Sequence, residues 1–595
     1  MKPSLPSRLL DWLDSRTGVR RLAHEALYEK VPGGARWRYV WGSTLTFVFM
    51  VQVITGLLLW SGYSASAQTA WESVFFIEHV MWGGWILRGI HHFAAHAMVV
   101  LLVLHLLQVV IDGAYMAPRE VNFWFGLVLL GLTLGLALTG YLLPWDQKGY
   151  WATKVATDIA GITPLVGPQL QRVVVGGPDY GHATLTRFFA LHAGVLPALV
   201  VAAVVGHIYL FRKHGLTPAR PVRKPDAMFW PDQVLMDAVA CLAVMAAVLV
   251  LTFWLRAPLS APADPSEPFP ARPEWYFLFL FQFLKLFPGG TEVWGAIVIP
   301  GVVMALVFAM PFVGRWRLGH GFNLALLAGV LLGAGVLTWQ AWAQDRRDPA
   351  HQRALARAEA DAQRAVELAL RPAGIPPAGA LELLRNDALT QGPRLFSQHC
   401  ASCHRHGGHD GLGQTPSDPA SAPDLRGFGS REWLAGLLDP ARVDGPDYFG
   451  GTRFKDGKMV RFVKRDVAKF DDAARRQLAQ VIAAVSAEAA LPAQREADAR
   501  DAADIAAGRA AFHNDTMRCG ECHAFHSPTD DATAPLLTGW ASRDWLLRFI
   551  RDPAHADFYG RRNDRMPRFG EQGLLTDAQI LLIADWMRGD VDGRP

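Results

Sequence analysis

The stretch RGIHHFAAHAMVVLLVLHL, Arg88 to Leu106, decides the fold: it is apolar enough to lie in a bilayer, yet it carries His91, His92, His96 and His105. An ionisable side chain in hydrocarbon is costly and marks a functional site by default. This segment is one of seven that approach the ~20 apolar residues needed to span a membrane. They fall at 38–60, 80–111, 121–143, 187–211, 232–255, 292–313 and 321–342. From residue 343 the chain turns polar and alanine-rich. Its 51% hydrophobic content over 595 residues therefore averages a membrane half with a water-soluble half. A net charge of +4 carries no nucleic-acid footprint.

Lysine and arginine in short loops set orientation. The N-terminal tail, FRKHGLTPARPVRKPD (211–226) and GRWRLGH (314–320) are basic and belong on the cytoplasmic side. The loop at 61–80 has neither residue type and belongs outside. The tail lacks the apolar centre of a cleavable signal. Seven crossings from a cytoplasmic N-terminus place the C-terminal half on the outer, periplasmic face of an inner membrane.

The cysteines agree with that side. Cys241 stands alone in an apolar segment and reads as a small buried hydrophobe. The other four form CASCH (Cys400, Cys403, His404) and CGECH (Cys519, Cys522, His523). C-x-x-C-H is the attachment signature of a c-type haem, with two thioethers and one histidine ligand. Zinc or a redox dithiol requires no following histidine. The flanks repeat as well: GFGSREWLAGLLDP (427–440) matches GWASRDWLLRFIRDP (539–553), so two c domains in tandem are expected. Methionine commonly supplies the second axial ligand. Met566 in RMPRF is assigned to the second domain and Met459 in GKMVRF to the first, with His399, His406 and His409 as rivals for Met459.

The membrane histidines then find a partner. His91 and His105 are fourteen residues apart, so they share one helix face about 21 Å apart. His192 and His207 are fifteen apart, with Pro197 between them to absorb the extra residue. Both helices cross in the same direction, which pairs His91 with His192 and His105 with His207 around two non-covalent haems b. Gly42 and Gly56, and Gly126 and Gly140, repeat the fourteen-residue spacing on the neighbouring helices. A missing side chain admits a flat macrocycle, although small-residue helix packing would use the same glycines. Arg88 is expected at a haem propionate, or snorkelling at the interface. His92 is read as hydrogen-bonded or interfacial and His96 as a packing residue.

VQVITG, GYLLPWDQKGYWATKV, RFFALH and PEWYFLFLFQFLK, within residues 20–342, resemble cytochrome b of the quinol-oxidising bc complexes. The fifteen-residue histidine spacing resembles the bf branch, where the four-helix and three-helix parts are separate chains. The resemblance implies that Glu274 and Tyr276 of Pro273–Tyr276 serve catalysis, with Glu274 accepting a proton from quinol. A carboxylate in a semi-apolar pocket has a pKa movable toward neutrality, which suits that task. Pro273, Tyr141, Pro144, Trp145 and Trp151 would line the same pocket. Arg212, Lys213 and His214 match an inner quinone site. Val40 stands where the bf branch has a cysteine, so that additional thioether is excluded.

The expected architecture is all-α: a seven-helix transmembrane haem b bundle followed by two small cytochrome c domains. Its parts are a four-helix di-haem domain (1–225), a three-helix domain with the PEWY loop (226–345), a linker (346–390) and c domains at 391–490 and 491–595. The expected function is the membrane subunit of a quinol:cytochrome c oxidoreductase with bifurcated electron transfer. Its cofactors are two haems b and two covalent haems c. A separate Rieske iron–sulfur subunit, the quinone pool, a soluble or membrane-bound cytochrome acceptor and a second copy of the chain are the implied partners. A linear quinone-linked electron conduit is the alternative, but it leaves PEWY and PWDQ unexplained.

Overall fold

The computed structural model describes residues 5–218, 225–527 and 533–590. Among the described residues, seven helices are long and apolar enough to cross a membrane: α1 Trp37–Trp60, α2 Gly84–Ile111, α3 Glu120–Tyr141, α4 His182–His214, α5 Phe229–Leu255, α6 Trp294–Val313 and α7 Gly319–Arg347. They match the seven sequence segments and identify a multi-pass membrane protein. Part of the basic loop at 211–226 (residues 219–224) lies outside the described residues. Between α3 and α4 come two further helices, Gln147–Gly161 and Gly167–Val175, that hydropathy alone did not reveal. The polar helix expected after the membrane runs as α8, Pro349–Ala369.

The extra residue between His192 and His207 has a local cause. Residues Leu191–Val195 form one π turn directly before Pro197, so His192 sits on an inserted residue rather than beyond a simple kink.

The four-helix and three-helix parts are laced together at several points. Lys30–Val31 pairs antiparallel with Ala227–Met228. Ser43 donates to Asp237 at 2.7 Å, and Gln233 accepts from the Arg36 N–H at 2.9 Å. Where α2 meets α5 the backbones approach so closely that a Cβ on Gly89 would lie 2.4 Å from Thr252.

Residues Glu382–Pro595 form a second compact unit. Its main helices are α9 Ala388–His399, α10 Arg431–Leu437, α11 Asp472–Ala487, α12 Ala502–Ala511, α13 Arg543–Arg551 and α14 Asp577–Arg588. The helices of the two repeats exchange packing partners. The helix that leads into CASCH, α9, packs on α14 of the second repeat, and α12, which leads into CGECH, packs on α11 of the first. Each crossing has a glycine at the contact. A Cβ on Gly392 would lie 2.3 Å from the Trp586 Cβ, and one on Gly508 would lie 2.0 Å from the Gln480 carbonyl. The reason is proximity along the chain, since consecutive elements usually become neighbours. Only a short join separates α11 from α12, so they fold onto one another and leave α9 to pair with α14. Equivalent positions meet near the centre: the Phe428 and Trp540 rings are 5.0 Å apart. A Cβ on Gly429 would lie 3.0 Å from that of its counterpart Ala541.

Candidate functional sites

The two histidine pairs form as expected. Ring centroids of His91 and His192 are 6.2 Å apart, and those of His105 and His207 are 6.4 Å apart. Two imidazoles bound to one metal from opposite sides, with bonds of about 2 Å, stand roughly this far apart. Each ring faces one of the four glycines. A Cβ would lie 3.7 Å from His105 at Gly42, 3.3 Å from His91 at Gly56, 3.5 Å from His207 at Gly126 and 2.5 Å from His192 at Gly140.

The Nδ1 atoms of three rings are engaged. His91 meets Thr55 at 2.9 Å, His192 the Leu136 carbonyl at 3.0 Å and His207 the Asn122 carbonyl at 3.1 Å. Such contacts orient the ring and direct Nε2 to a metal. The Nδ1 of His105 is buried without a partner. An apolar cavity walled by Leu106, Val109, Phe123, Leu127 and Leu130 adjoins His105 and His207. Rings, glycines and cavity all fit a haem held by two histidines. Arg88 donates to Glu78 at 2.9 Å and to the carbonyls of Ala257 and Pro258.

Near the His91–His192 end lies the Glu274 carboxylate, at the start of the short apolar helical segment Trp275–Leu284. Lys148 donates to its Oε1 at 3.0 Å, and His96 Nε2 stands 3.9 Å from its Oε2. Trp275 Nε1 donates to His96 Nδ1 at 2.9 Å, so the neutral ring carries its proton on Nε2, toward the carboxylate. The buried Tyr141 hydroxyl approaches Glu274 without closing a hydrogen bond of ordinary geometry. Burial pushes the Glu274 pKa up, but the Lys148 ammonium and the His96 and His92 rings outweigh it and hold the group below the usual carboxylate range. Among the groups that lower it, the Lys148 ammonium has the largest effect. Tyr276 faces His96 edge-on at 5.7 Å.

The PWDQ turn is locked from beneath. Asp146 caps its helix by accepting from the Gly149 N–H at 2.8 Å and also accepts from the Ser260 N–H at 2.9 Å. Gln147 donates to the Ala261 carbonyl, and the Ala263 N–H donates to that of Trp145. Trp145 adopts a φ of 49°, a genuine strain for a bulky residue, and is buried with Tyr150, Leu185 and Phe188. Trp151 packs against the same cluster, so both tryptophans buttress the turn from within.

Both C-x-x-C-H motifs are built alike. His404 Nδ1 meets the Pro423 carbonyl at 2.8 Å, and His523 Nδ1 meets that of Pro535 at 2.8 Å. Trp433 Nε1 donates to the carbonyl just after the first proline (Asp424), and Trp545 Nε1 to the one after the second (Leu536). Ser430 and Ser542 cap the helices bearing these tryptophans. Burial lowers the pKa of both histidines, which keeps the imidazoles neutral and fit to ligate.

Comparison with known proteins follows the same division. Residues 96–263 match the family model Cytochrome b(N-terminal)/b6/petB, 262–323 match Cytochrome b(C-terminal)/b6/petD, and 389–485 match Cytochrome c. Cytochrome b of Rhodobacter capsulatus is 33% identical over 320 residues, covering 51% of this chain and 72% of that one. The chain belongs to the cytochrome b family. The menaquinol:cytochrome c reductase cytochrome b subunit of Bacillus subtilis (strain 168) is 37% identical over 219 residues, which are 36% of this cytochrome b and 98% of the relative. A solved hyperthermophilic respiratory Complex III aligns with a TM-score of 0.50 at 26% identity, covering 58% of this chain and 93% of that one. Cytochrome b and cytochrome c domains together imply both haem b and haem c.

Two residues of this cytochrome b escaped the sequence reading. Lys148 lies in GYLLPWDQKGYWATKV with nothing in its residue type to announce a role, and His96 reads from its helix position as a packing residue. The available signal was a lysine two residues past PWD, in a segment otherwise poor in charge. At the far end, Arg212 lies 3.5 Å from Glu29, and the His214 carbonyl accepts from Arg119. Lys213 is exposed. Buried Val40 lies at the start of its helix.

Proposed function

We propose that this cytochrome b is the membrane subunit of a quinol:cytochrome c oxidoreductase that oxidises quinol beside Glu274, on the outer face of an inner membrane. The observation that carries the reading is the Glu274 carboxylate ringed by Lys148, His96 and the Tyr141 hydroxyl next to the His91–His192 pair.

Quinol oxidation releases two protons and two electrons. Glu274, kept ionised by Lys148, is ready to accept one proton from the quinol hydroxyl. His96 directs an N–H toward the carboxylate and steadies its charge. The PWDQ turn, fixed through Asp146, holds Lys148 in place. His91 with His192 and His105 with His207 would hold two haems b; Cys400, Cys403, His404, Cys519, Cys522 and His523 would bind two haems c covalently. When bound, these haems supply one-electron redox centres. The family resemblance implies a Rieske iron–sulfur protein as the first electron acceptor, and since only Cys241 of the five cysteines lies outside the haem motifs, a partner subunit would carry it. The c unit is the exit toward a cytochrome acceptor, and the complex is a homodimer by analogy with the family.

The test uses the purified complex with quinol and an inner-site inhibitor. On a pulse of oxidant, haem b absorbance is expected to become more reduced while haem c becomes oxidised. Simultaneous oxidation of both would overturn bifurcation and favour a linear conduit.

A further inference from the structure

We propose that the two c haems are ligated across the repeats: Met566 serves the haem bound by Cys400, Cys403 and His404, and Met459 serves the haem bound by Cys519, Cys522 and His523. The inference goes beyond the quinol reading and does not depend on it. It reverses the assignment that order along the chain suggests. Three observations carry it. The apolar cluster around Leu395, Phe569, Ile580 and Ile583 has both Cys400 and Met566 packed against it, and His399 faces Phe569 with ring centroids 6.4 Å apart. Met459 belongs instead to a cluster with Phe470 and Leu478, and those two residues pack, as Cys519 does, against the cluster of Val481, Phe512 and Met517.

The helix crossings enforce the same exchange. Alongside α9 on α14 and α12 on α11, polar contacts run between the second motif and the first repeat. Gln480 donates to Asp504 at 2.8 Å, and Asn514 donates to Gln477 at 3.4 Å. Of the rival ligands, His406 stacks against Trp586 at 4.4 Å and faces His409, so both are engaged in packing. A methionine reaches only the haem whose flanking helix shares its cluster. Two c centres built this way form one interlocked unit, in which each haem has a proximal side from one repeat and a distal side from the other.

The test reads the near-infrared charge-transfer band of a methionine-ligated ferric haem in the full complex, with covalent haem content measured in parallel. Met566→Ala and His404→Ala should damage the same haem, so their combination should keep about half of the wild-type band. Met566→Ala combined with His523→Ala should remove it entirely. The opposite pattern would overturn the proposal. Where a histidine variant fails to mature, Cys400→Ser/Cys403→Ser deletes one haem outright. Adding Met566→Ala should then leave the remaining band unchanged, and adding Met459→Ala should abolish it. A band lost with Met566→Ala and kept with Met459→Ala would overturn the crossed ligation.

Discussion

In the membrane half, residues that face a common centre come from helices whose order, period and direction are all written in the chain. In the polar half, residues that face a common centre come from opposite ends of a duplicated segment. A bilayer leaves a helix few options, because every backbone polar group must be satisfied within it. Spacing along the sequence therefore translates directly into height in the bundle, and four histidines meet in two pairs, each ring facing one of four glycines. Water imposes no such axis. Two similar repeats present near-identical apolar faces to each other, and which face meets which is decided by the connecting loops.

The strongest way to break the first half of this comparison is Gly140→Val, which would drive a side chain into the His192 ring. Haem b content measured against haem c should fall by about half, and quinol oxidation should be abolished. A normal haem b content would mean that the glycines merely pack helices. The polar half is challenged by truncation after residue 490. Interlocked repeats predict that no methionine-ligated c haem survives, because α9 and α11 each lose their packing partner. Self-contained domains predict one normal haem c for every two haems b. Low-temperature spectra would separate the two outcomes.

A smaller effect is expected at Lys148. The Glu274 carboxyl lies below its ordinary range, so its ionised, proton-accepting form persists above that value and is lost as pH falls through it. Lys148→Met should raise that value. The acid limb of the rate–pH profile should move to higher pH, with a fall of several-fold in turnover on that limb. An unmoved limb would show that the lysine does not set the ionisation. Least disturbing should be supplying residues 1–220 and 221–595 as two polypeptides. The strand pair at Lys30, the Ser43–Asp237 bond and the Asp146–Ser260 bond already join the parts, so membrane-bound haem b should stay near the intact level.

Much of the functional site was legible in advance. The C-x-x-C-H motifs and the histidine spacings follow from residue types whose chemistry admits few other uses, whereas Glu274 came from the resemblance of PEWY to cytochrome b. Lys148 and His96 were not legible, because their significance lies in meeting Glu274 across a turn of the chain. Trp145 and Trp151 stood in the right motif, yet aromatic identity does not say whether a ring lines a cavity or supports it. The helix exchange was hidden for a related reason. The duplication reveals two equivalent halves, and equivalence itself conceals which partner each half chooses.

That exchange has a consequence for how the protein is made. Among the described residues, the helix preceding the first haem motif has its main packing partner in α14, nearly two hundred residues further on. Such long-range contacts are slow to form, since the intervening chain must be ordered before they repay its entropy. The first attachment motif therefore emerges from the membrane well before its surroundings can close. It stays open to the enzymes that join haem to thiol until the last helix arrives. Arrival of α14, rather than completion of the first repeat, is the event that seals the first centre.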